Sequence, residues 1–335
     1  MKVLVTGSGG FLGRAVVRAV AEAGHEVLAL QRPVRNSSGG PIVEKPIGDV
    51  TIIEGDLRQM GKWVAQVSEV EAVIHCAAAA SGDLATQLSG TVLATENLLA
   101  ALKPNLRRFV HVSTFSVYDF AASGWMRTLD ETTAIEPHPL RRDIYTQTKL
   151  QQERMICSWA ERQHVPLLVA RPGAIYGPGK DWNYGAAFRV GPFDLVFAPL
   201  SRMRLIQVEN CAKALASALT YPITGKKFVN LVDSEQPTHW GFHRLARRTG
   251  AATGIGFPVP YIVMQGLSIL ASLMSAAFFS GRARLPEWLE MYRGRARWGQ
   301  FRYDSGRVSE LLICRKISLT EGLEQMVEAS KRDVD

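Results

Sequence analysis

The chain opens with Val3-Leu4-Val5-Thr6-Gly7-Ser8-Gly9-Gly10-Phe11-Leu12-Gly13, an apolar strand running through a glycine turn into a helix start. Gly7 permits the tight turn, Gly10 lets backbone N–H groups approach a pyrophosphate, and Gly13 lets the helix pack closely on the strand. The helix N-terminus then faces the negative charge. Glycine clusters also make ordinary turns. Here the start at residue 3 and the amphipathic run from Leu12 to Ala23, stopped by Gly24, favour dinucleotide binding. An acidic residue about twenty positions on usually grips the ribose 2′-hydroxyl. This chain has Gln31-Arg32 instead, which removes repulsion toward a 2′-phosphate and offers Arg32 as its partner, so NADP is favoured over NAD. The alternative is a solvent-exposed loop arginine.

The same rhythm continues outward from this unit. Glu26 to Leu30, Val50 to Glu54, Ala72 to Cys76, Phe109 to Val112 and Leu167 to Ala170 are short and continuously apolar, as strands covered on both faces are. Their alternation with helical stretches predicts an α/β fold, a Rossmann-type doubly wound parallel sheet. After about Arg171 prolines, aromatics and basic residues increase, and the alternation returns only at Val208 to Leu219 and Phe228 to Val232. Residues 1–172 with about 203–235 are therefore expected to form the core. Residues 173–202 with 236–335 are expected to form a smaller, mostly helical C-terminal substrate lobe. The Asn36 to Gly40 tract reads as a loop.

Tyr145 and Lys149 lie four apart in a helical stretch, Asp143 to Ala160, and share a face. An ammonium beside a phenol favours phenolate and lowers its pKa, which suits proton transfer near neutrality. Such pairs are common on helix surfaces. The strand Phe109 to Val112 adds weight, because it runs into Ser113-Thr114 and places hydroxyls at the sheet edge where open α/β folds bind ligands.

Together with Gly55-Asp56-Leu57, Val73-Ile74-His75-Cys76-Ala77-Ala78, Val112-Ser113-Thr114-Phe115-Ser116-Val117-Tyr118, Tyr145-Thr146-Gln147-Thr148-Lys149 and Arg171-Pro172-Gly173-Ala174-Ile175-Tyr176-Gly177-Pro178-Gly179, the opening motif resembles the extended short-chain dehydrogenase/reductase superfamily. That group includes nucleotide-sugar epimerases, dehydratases and hydroxysteroid dehydrogenases. The resemblance implies Thr114 as the hydroxyl on the reacting oxygen, with Ser113 as the less favoured neighbour. It implies Tyr145 as acid/base and Lys149 on the nicotinamide ribose. Gly7, Gly10, Phe11, Leu12 and Gly13 would surround the pyrophosphate, Asp56 and Leu57 the adenine, and Ala77, Pro172 and Gly173 the rest of the cofactor. Thr91 and Ser116 would lie toward the substrate. The reaction implied is reversible hydride transfer between nicotinamide C4 and a carbinol or carbonyl carbon.

Two positions depart from the family pattern. Thr91 stands where Asn often begins the Asn-Val-x-Gly-Thr helix, and Ala174 stands where nucleotide-sugar members often place an Asn that contacts the diphosphate. Three functions therefore compete: an NAD(P)-dependent oxidoreductase on an apolar or weakly polar small molecule, a nucleotide-sugar epimerase or dehydratase, and a non-catalytic NADP-sensing protein. Arg202, Arg204, Arg295 and Arg297 are the candidate diphosphate partners for the second.

The chain has 335 residues and a net charge of +8, which alone leaves nucleic acid, membrane and phosphorylated small molecules open. No nucleic-acid recognition motif accompanies it, so no nucleic-acid partner is expected. Cys76, Cys157, Cys211 and Cys314 form no Cys-x-x-Cys pair and the histidines show no ligand spacing, which predicts a reducing compartment and no metal. A cytoplasmic location without a secretory leader is expected. Residues 249–281 contain no charged residue. Gln265, Ser268, Ser272 and Ser275 form a polar stripe opposite Ile262, Ile269, Leu270 and Leu273. A buried or substrate-lining helix begun by Pro260 is the first expectation, and an interfacial helix flanked by Arg282 and Arg284, giving peripheral membrane contact through 258–284, is the second. A homodimer is a further open expectation.

Overall fold

The computed structural model describes residues 1–32, 49–103, 106–124, 126–180, 187–279, 291–312 and 316–332. The loop at Asn36 to Gly40, Cys314, Arg282 and Arg284 lie outside them. In chain order the strands are β1 (Lys2–Thr6), β2 (Glu26–Gln31), β3 (Val50–Glu54), β4 (Ala72–His75), β5 (Arg108–Val112), β6 (Thr128–Leu129), β7 (Leu167–Pro172), β8 (Ala174–Tyr176), β9 (Ala187–Val190), β10 (Phe193–Phe197), β11 (Leu205–Gln207), β12 (Lys226–Leu231), β13 (Ile255–Val259) and β14 (Arg302–Tyr303). Seven of them form one sheet in the order β12-β7-β5-β4-β1-β2-β3, parallel throughout.

The pleat sorts each strand's side chains to two cores. Val3 and Val5 join α1 (Phe11–Glu22) on one face of the sheet, and Leu4 joins the core on the other. That second core also takes in α2 (Trp63–Gln66), α4 (Ala94–Ala101), which follows the short α3 (Leu84–Gln87), and α5 (Ile144–Arg162). Helix α6 (Val208–Ser217) covers the first core beside α1. Burial on both faces explains the continuously apolar runs of β4, β5 and β7. The sheet order reverses between β1 and β4, and the crevice at their C-terminal ends is where such sheets take ligands.

The lobe departs from one expectation. It is mostly helical, as expected, through α7 (His239–Thr249), α8 (Tyr261–Phe279), α9 (Met291–Trp298), α10 (Gly306–Leu311) and α11 (Leu319–Arg332), and it also holds a three-stranded sheet, β13-β10-β9. Helix α8 follows Pro260 as anticipated, but most of it is exposed rather than buried. Met264, Ser268 and Ser275 face the protein, while Ile262, Ile269, Leu270 and Leu273 are at least half exposed. Of the polar stripe Ser268 and Ser275 face inward while Gln265 and Ser272 are exposed, and most of the apolar side faces out.

Candidate active site

Gly7 ends β1 with φ +66°, a left-handed conformation that a side chain would strain. A Cβ on Gly7 would also lie 2.9 Å from the backbone of Ala77, and one on Gly13 only 2.0 Å from the Gly7 carbonyl oxygen. The turn is thus folded against both the α1 helix and the end of β4. Gly10 caps α1 without any side-chain hydrogen bond, and the helix carries no acid in its first turn. Ser8 Oγ is buried in this turn with no hydrogen-bond partner. A shaped glycine cradle, an open helix N-terminus and an orphaned hydroxyl fit a pyrophosphate.

Asp56, two residues past β3, holds Arg58 at 2.6 Å. The Arg58 hydrogen bonds keep its carboxyl below the usual range, and the charge of Arg32 adds to them. Arg32, exposed just beyond β2, is therefore near Asp56 at the adenosine end of the crevice. Leu57 is buried, and its carbonyl accepts 2.8 Å from Asn97 Nδ2. Phe11 and Leu12 are half-buried against the first core, with the Lys180 ammonium 5.3 Å above the Phe11 ring. Pro172 and Gly173 end β7, where Gly173 donates to the Leu231 carbonyl at 3.0 Å.

The structure separates the two neighbouring hydroxyls. Ser113 is buried and donates to Glu153, which also receives Arg171 at 2.5 Å. Arg171 reaches the Tyr118 hydroxyl at 3.1 Å, and Tyr118 donates to Asn230 Oδ1 at 2.7 Å. Ser113 is thereby committed to a structural network beneath the sheet edge. Thr114 instead lies beside the phenol of Tyr145, which is half-buried in the first turn of α5. Asp143 caps that helix through Thr146 N at 2.9 Å and fixes where Tyr145 emerges.

Lys149 lies one turn further along α5 and is buried. Its ammonium donates to the Val112 carbonyl at 2.7 Å and to Gln152 Oε1. Burial lowers its pKa to about 7. The expected lowering of the Tyr145 phenol is not what the structure gives: burial raises it, outweighing the lowering by the neighbouring Thr114 hydroxyl. Lys149 is turned to a backbone carbonyl and an amide, so the phenol keeps its proton at neutral pH.

Gln152 was not singled out by the sequence, although Lys149, Gln152 and Glu153 share a helix face by spacing. Its Nε2 reaches His75 Nε2 at 3.0 Å, the Ala77 carbonyl at 3.1 Å and Thr95 Oγ1 at 2.8 Å. Burial, with a smaller contribution from Lys149, drops the His75 pKa to about 3, so its ring is neutral. The amide donors around Nε2 assign the proton to Nδ1, 2.7 Å from Thr6 Oγ1. One uncharged chain of hydrogen bonds therefore joins β1, β4, α4 and α5 beneath the crevice.

Thr91 lies in a π-helical turn, Leu88–Leu93, and accepts from Ala79 N at 3.0 Å. Ser116, in the short turn Phe115–Val117, is partly exposed beside Thr114. Arg204 donates to the Ala296 carbonyl at 2.9 Å, Arg202 to the Gln236 carbonyl at 3.0 Å, and Arg295 to the carbonyls of Phe120 and Ser123 at 2.9 and 2.6 Å. These three thus hold backbone of the loops and the lobe, and Arg204 does so beside Ala174, whose N–H donates to the Arg204 carbonyl at 2.7 Å.

A glycine cradle at a topological switch point, with a Thr-Tyr-Lys cluster at the neighbouring strand end, defines a Rossmann-type protein that takes a nicotinamide dinucleotide. The chain belongs to the NAD dependent epimerase/dehydratase family, whose description matches residues 3–190. It is 34% identical over 185 residues to a 2-alkyl-3-oxoalkanoate reductase of Stenotrophomonas maltophilia (strain K279a), covering 53% of this chain and 52% of that one. It is 27% identical over 299 residues to the sterol demethylase protein B of Methylococcus capsulatus (strain ATCC 33009 / NCIMB 11132 / Bath), covering 84% of each. The chain spans about half the length of most of the curated relatives it matches. The solved UDP-glucuronic acid 4-epimerase of Bacillus cereus in complex with NAD shares the fold, with TM-score 0.72 at 17% identity over 99% of both chains.

Proposed function

We propose that this protein is an NADP-dependent oxidoreductase that interconverts a carbinol and a carbonyl on an apolar or weakly polar small molecule. The observation that carries the reading is the placement of the Thr114 hydroxyl beside the Tyr145 phenol at the C-terminal edge of the sheet, with Lys149 buried one helical turn behind. The bound nicotinamide would supply or accept hydride. Thr114 would orient the substrate oxygen, and Tyr145, protonated at neutral pH, would donate to it in the reductive direction. The charge of Lys149 would offset the phenolate that remains. Arg32 and the absence of an acid at the end of β2 support the 2′-phosphate.

An uncharged substrate is supported by Ala174 and by arginines already bound to backbone carbonyls. The names of a 2-alkyl-3-oxoalkanoate reductase and a 3-beta-hydroxysteroid dehydrogenase among the relatives point the same way. The test is NADPH oxidation by purified protein with a panel of aliphatic and steroidal ketones, beside thermal shifts with UDP- and dTDP-sugars. Turnover of a ketone with no shift from sugar nucleotides is expected. A shift from a sugar nucleotide, without turnover of any ketone, would replace this reading with epimerisation or dehydration. NADP binding without oxidation of any alcohol would leave a sensor.

A further inference from the structure

The apolar side of α8 does not end with the helix. In the lobe sheet Ile255, Phe193 and Val190 are directly paired across the three strands, as are Phe257, Leu195 and Phe188. Paired residues point to the same side, so these six form two apolar rows on one face. Five of them are exposed, Phe188 by 63%. The opposite face carries Asp194, buried against His243 of α7 at 3.1 Å. The third row, Phe197 with Val259, packs with Tyr261 and Met264 of α8 and with Trp298. Helix α8 is therefore seated at the end of the same face. Its own outward residues, Ile262, Ile269, Leu270, Leu273, Met274 and Phe278, continue the apolar surface, with Ile262 and Phe278 each 76% exposed.

We propose that this face docks on an anionic lipid bilayer, with α8 lying in the interface. Three observations select that occupant. The helix is long and apolar enough to cross a membrane by length and composition, yet it has protein along one side. Gln265 and Ser268 share a cavity of about 110 Å³ with Gly294 and Arg295 of α9, and Met264 packs against Trp298. A spanning helix would carry lipid on that side and separate these partners, so α8 lies on the surface. Residues 236–286 contain five arginines and no Asp or Glu. Of these, Arg244, Arg247 and Arg248 are exposed on α7, behind the lobe sheet and not on the apolar rows themselves. The unbalanced positive charge of this stretch favours an anionic surface over a neutral one. An apolar face of this breadth with inward-facing serines also inverts the pattern of a water-facing helix.

The test is co-sedimentation of the full chain with sucrose-loaded vesicles of phosphatidylcholine, with and without phosphatidylglycerol. No cofactor or substrate is added, so its outcome is independent of the proposed reaction. Binding is expected with phosphatidylglycerol, weakened by salt and by its omission. The variant I262D/L270D/L273D should bind at least about tenfold more weakly, and F193S/F257S should also lose affinity. Retained circular dichroism and thermal unfolding of both variants establish that they fold. Failure of the native chain to pellet with phosphatidylglycerol vesicles overturns the proposal, as does equal binding by folded I262D/L270D/L273D. A native dimer that this variant dissolves, with no vesicle binding, would assign the face to a second copy instead.

Discussion

The Thr114 hydroxyl lies beside the Tyr145 phenol where the end of β5 meets the first turn of α5. Ser113, one residue earlier, is turned the other way and held by Glu153. Tyr145→Phe should lower kcat by about 10²- to 10⁴-fold while leaving the NADPH dissociation constant within a few-fold. Ser113→Ala should spare the chemical step and lower stability instead. Steady-state kinetics beside fluorescence titration of NADPH separate the two, and a fully active Tyr145→Phe enzyme would remove the tyrosine from the reaction.

Gln152 carries four partners in the buried chain, Lys149, His75, Ala77 and Thr95. Gln152→Leu leaves at least an ammonium and a hydroxyl without their amide. A loss of about 2 kcal/mol or more is expected from urea unfolding. Gln152→Glu should also shift the pH dependence of kcat, because a carboxylate beside Lys149 favours its charged form. An unshifted profile would mean that the amide only fills space.

Much of the fold was legible. Strands covered on both faces read as unbroken apolar runs, and β1, β2, β4, β5 and β7 were placed to within a residue or two. The site was legible as a set of residues but not as an electrostatic arrangement. Lys149 at the fourth position after Tyr145 suggested a depressed phenol, yet the side-chain direction that sends it to Val112 O, and the burial of the phenol, are tertiary facts. The choice between Ser113 and Thr114 depended on Glu153, forty residues away. For α8 the spacing told that two unlike sides existed. It could not tell which one the lobe would take.

Acid should destabilise the protein through its buried histidines. His75 and His239 remain neutral in the fold, with pKa values lowered by burial to about 3 and about 4, whereas unfolded histidine protonates near 6.5. The unfolded chain therefore binds more protons below pH 6.5, and stability present above that value is lost as pH falls toward the folded-state values. Lys149, lowered to about 7 by burial, gives the same slope at higher pH, up to the ordinary lysine range near 10.5. Tm measured between pH 7 and 4 should fall, and less steeply for His75→Gln. Parallel curves would show that His75 is not a source of the loss.

Arg32 lies beyond β2 where an acid would contact a ribose hydroxyl, close enough to Asp56 to help hold its carboxyl ionised. Arg32→Asp should reduce the NADPH-to-NADH ratio of kcat/KM by about tenfold or more, through a lost charge-assisted pair and an added repulsion. A ratio unchanged by this substitution would make Arg32 a loop residue with no part in cofactor choice.

Arg295 ties two parts of the molecule together, for its guanidinium holds the carbonyls of Phe120 and Ser123 while its neighbours line the cavity under α8. The segment it holds follows directly on the turn that carries Thr114. With α8 docked, an oily ketone dissolved in the bilayer would meet the enzyme in two dimensions. Its effective concentration would then be a mole fraction in the leaflet, and an apparent KM expressed per litre would drift with the amount of lipid in the assay while one expressed per lipid would hold still.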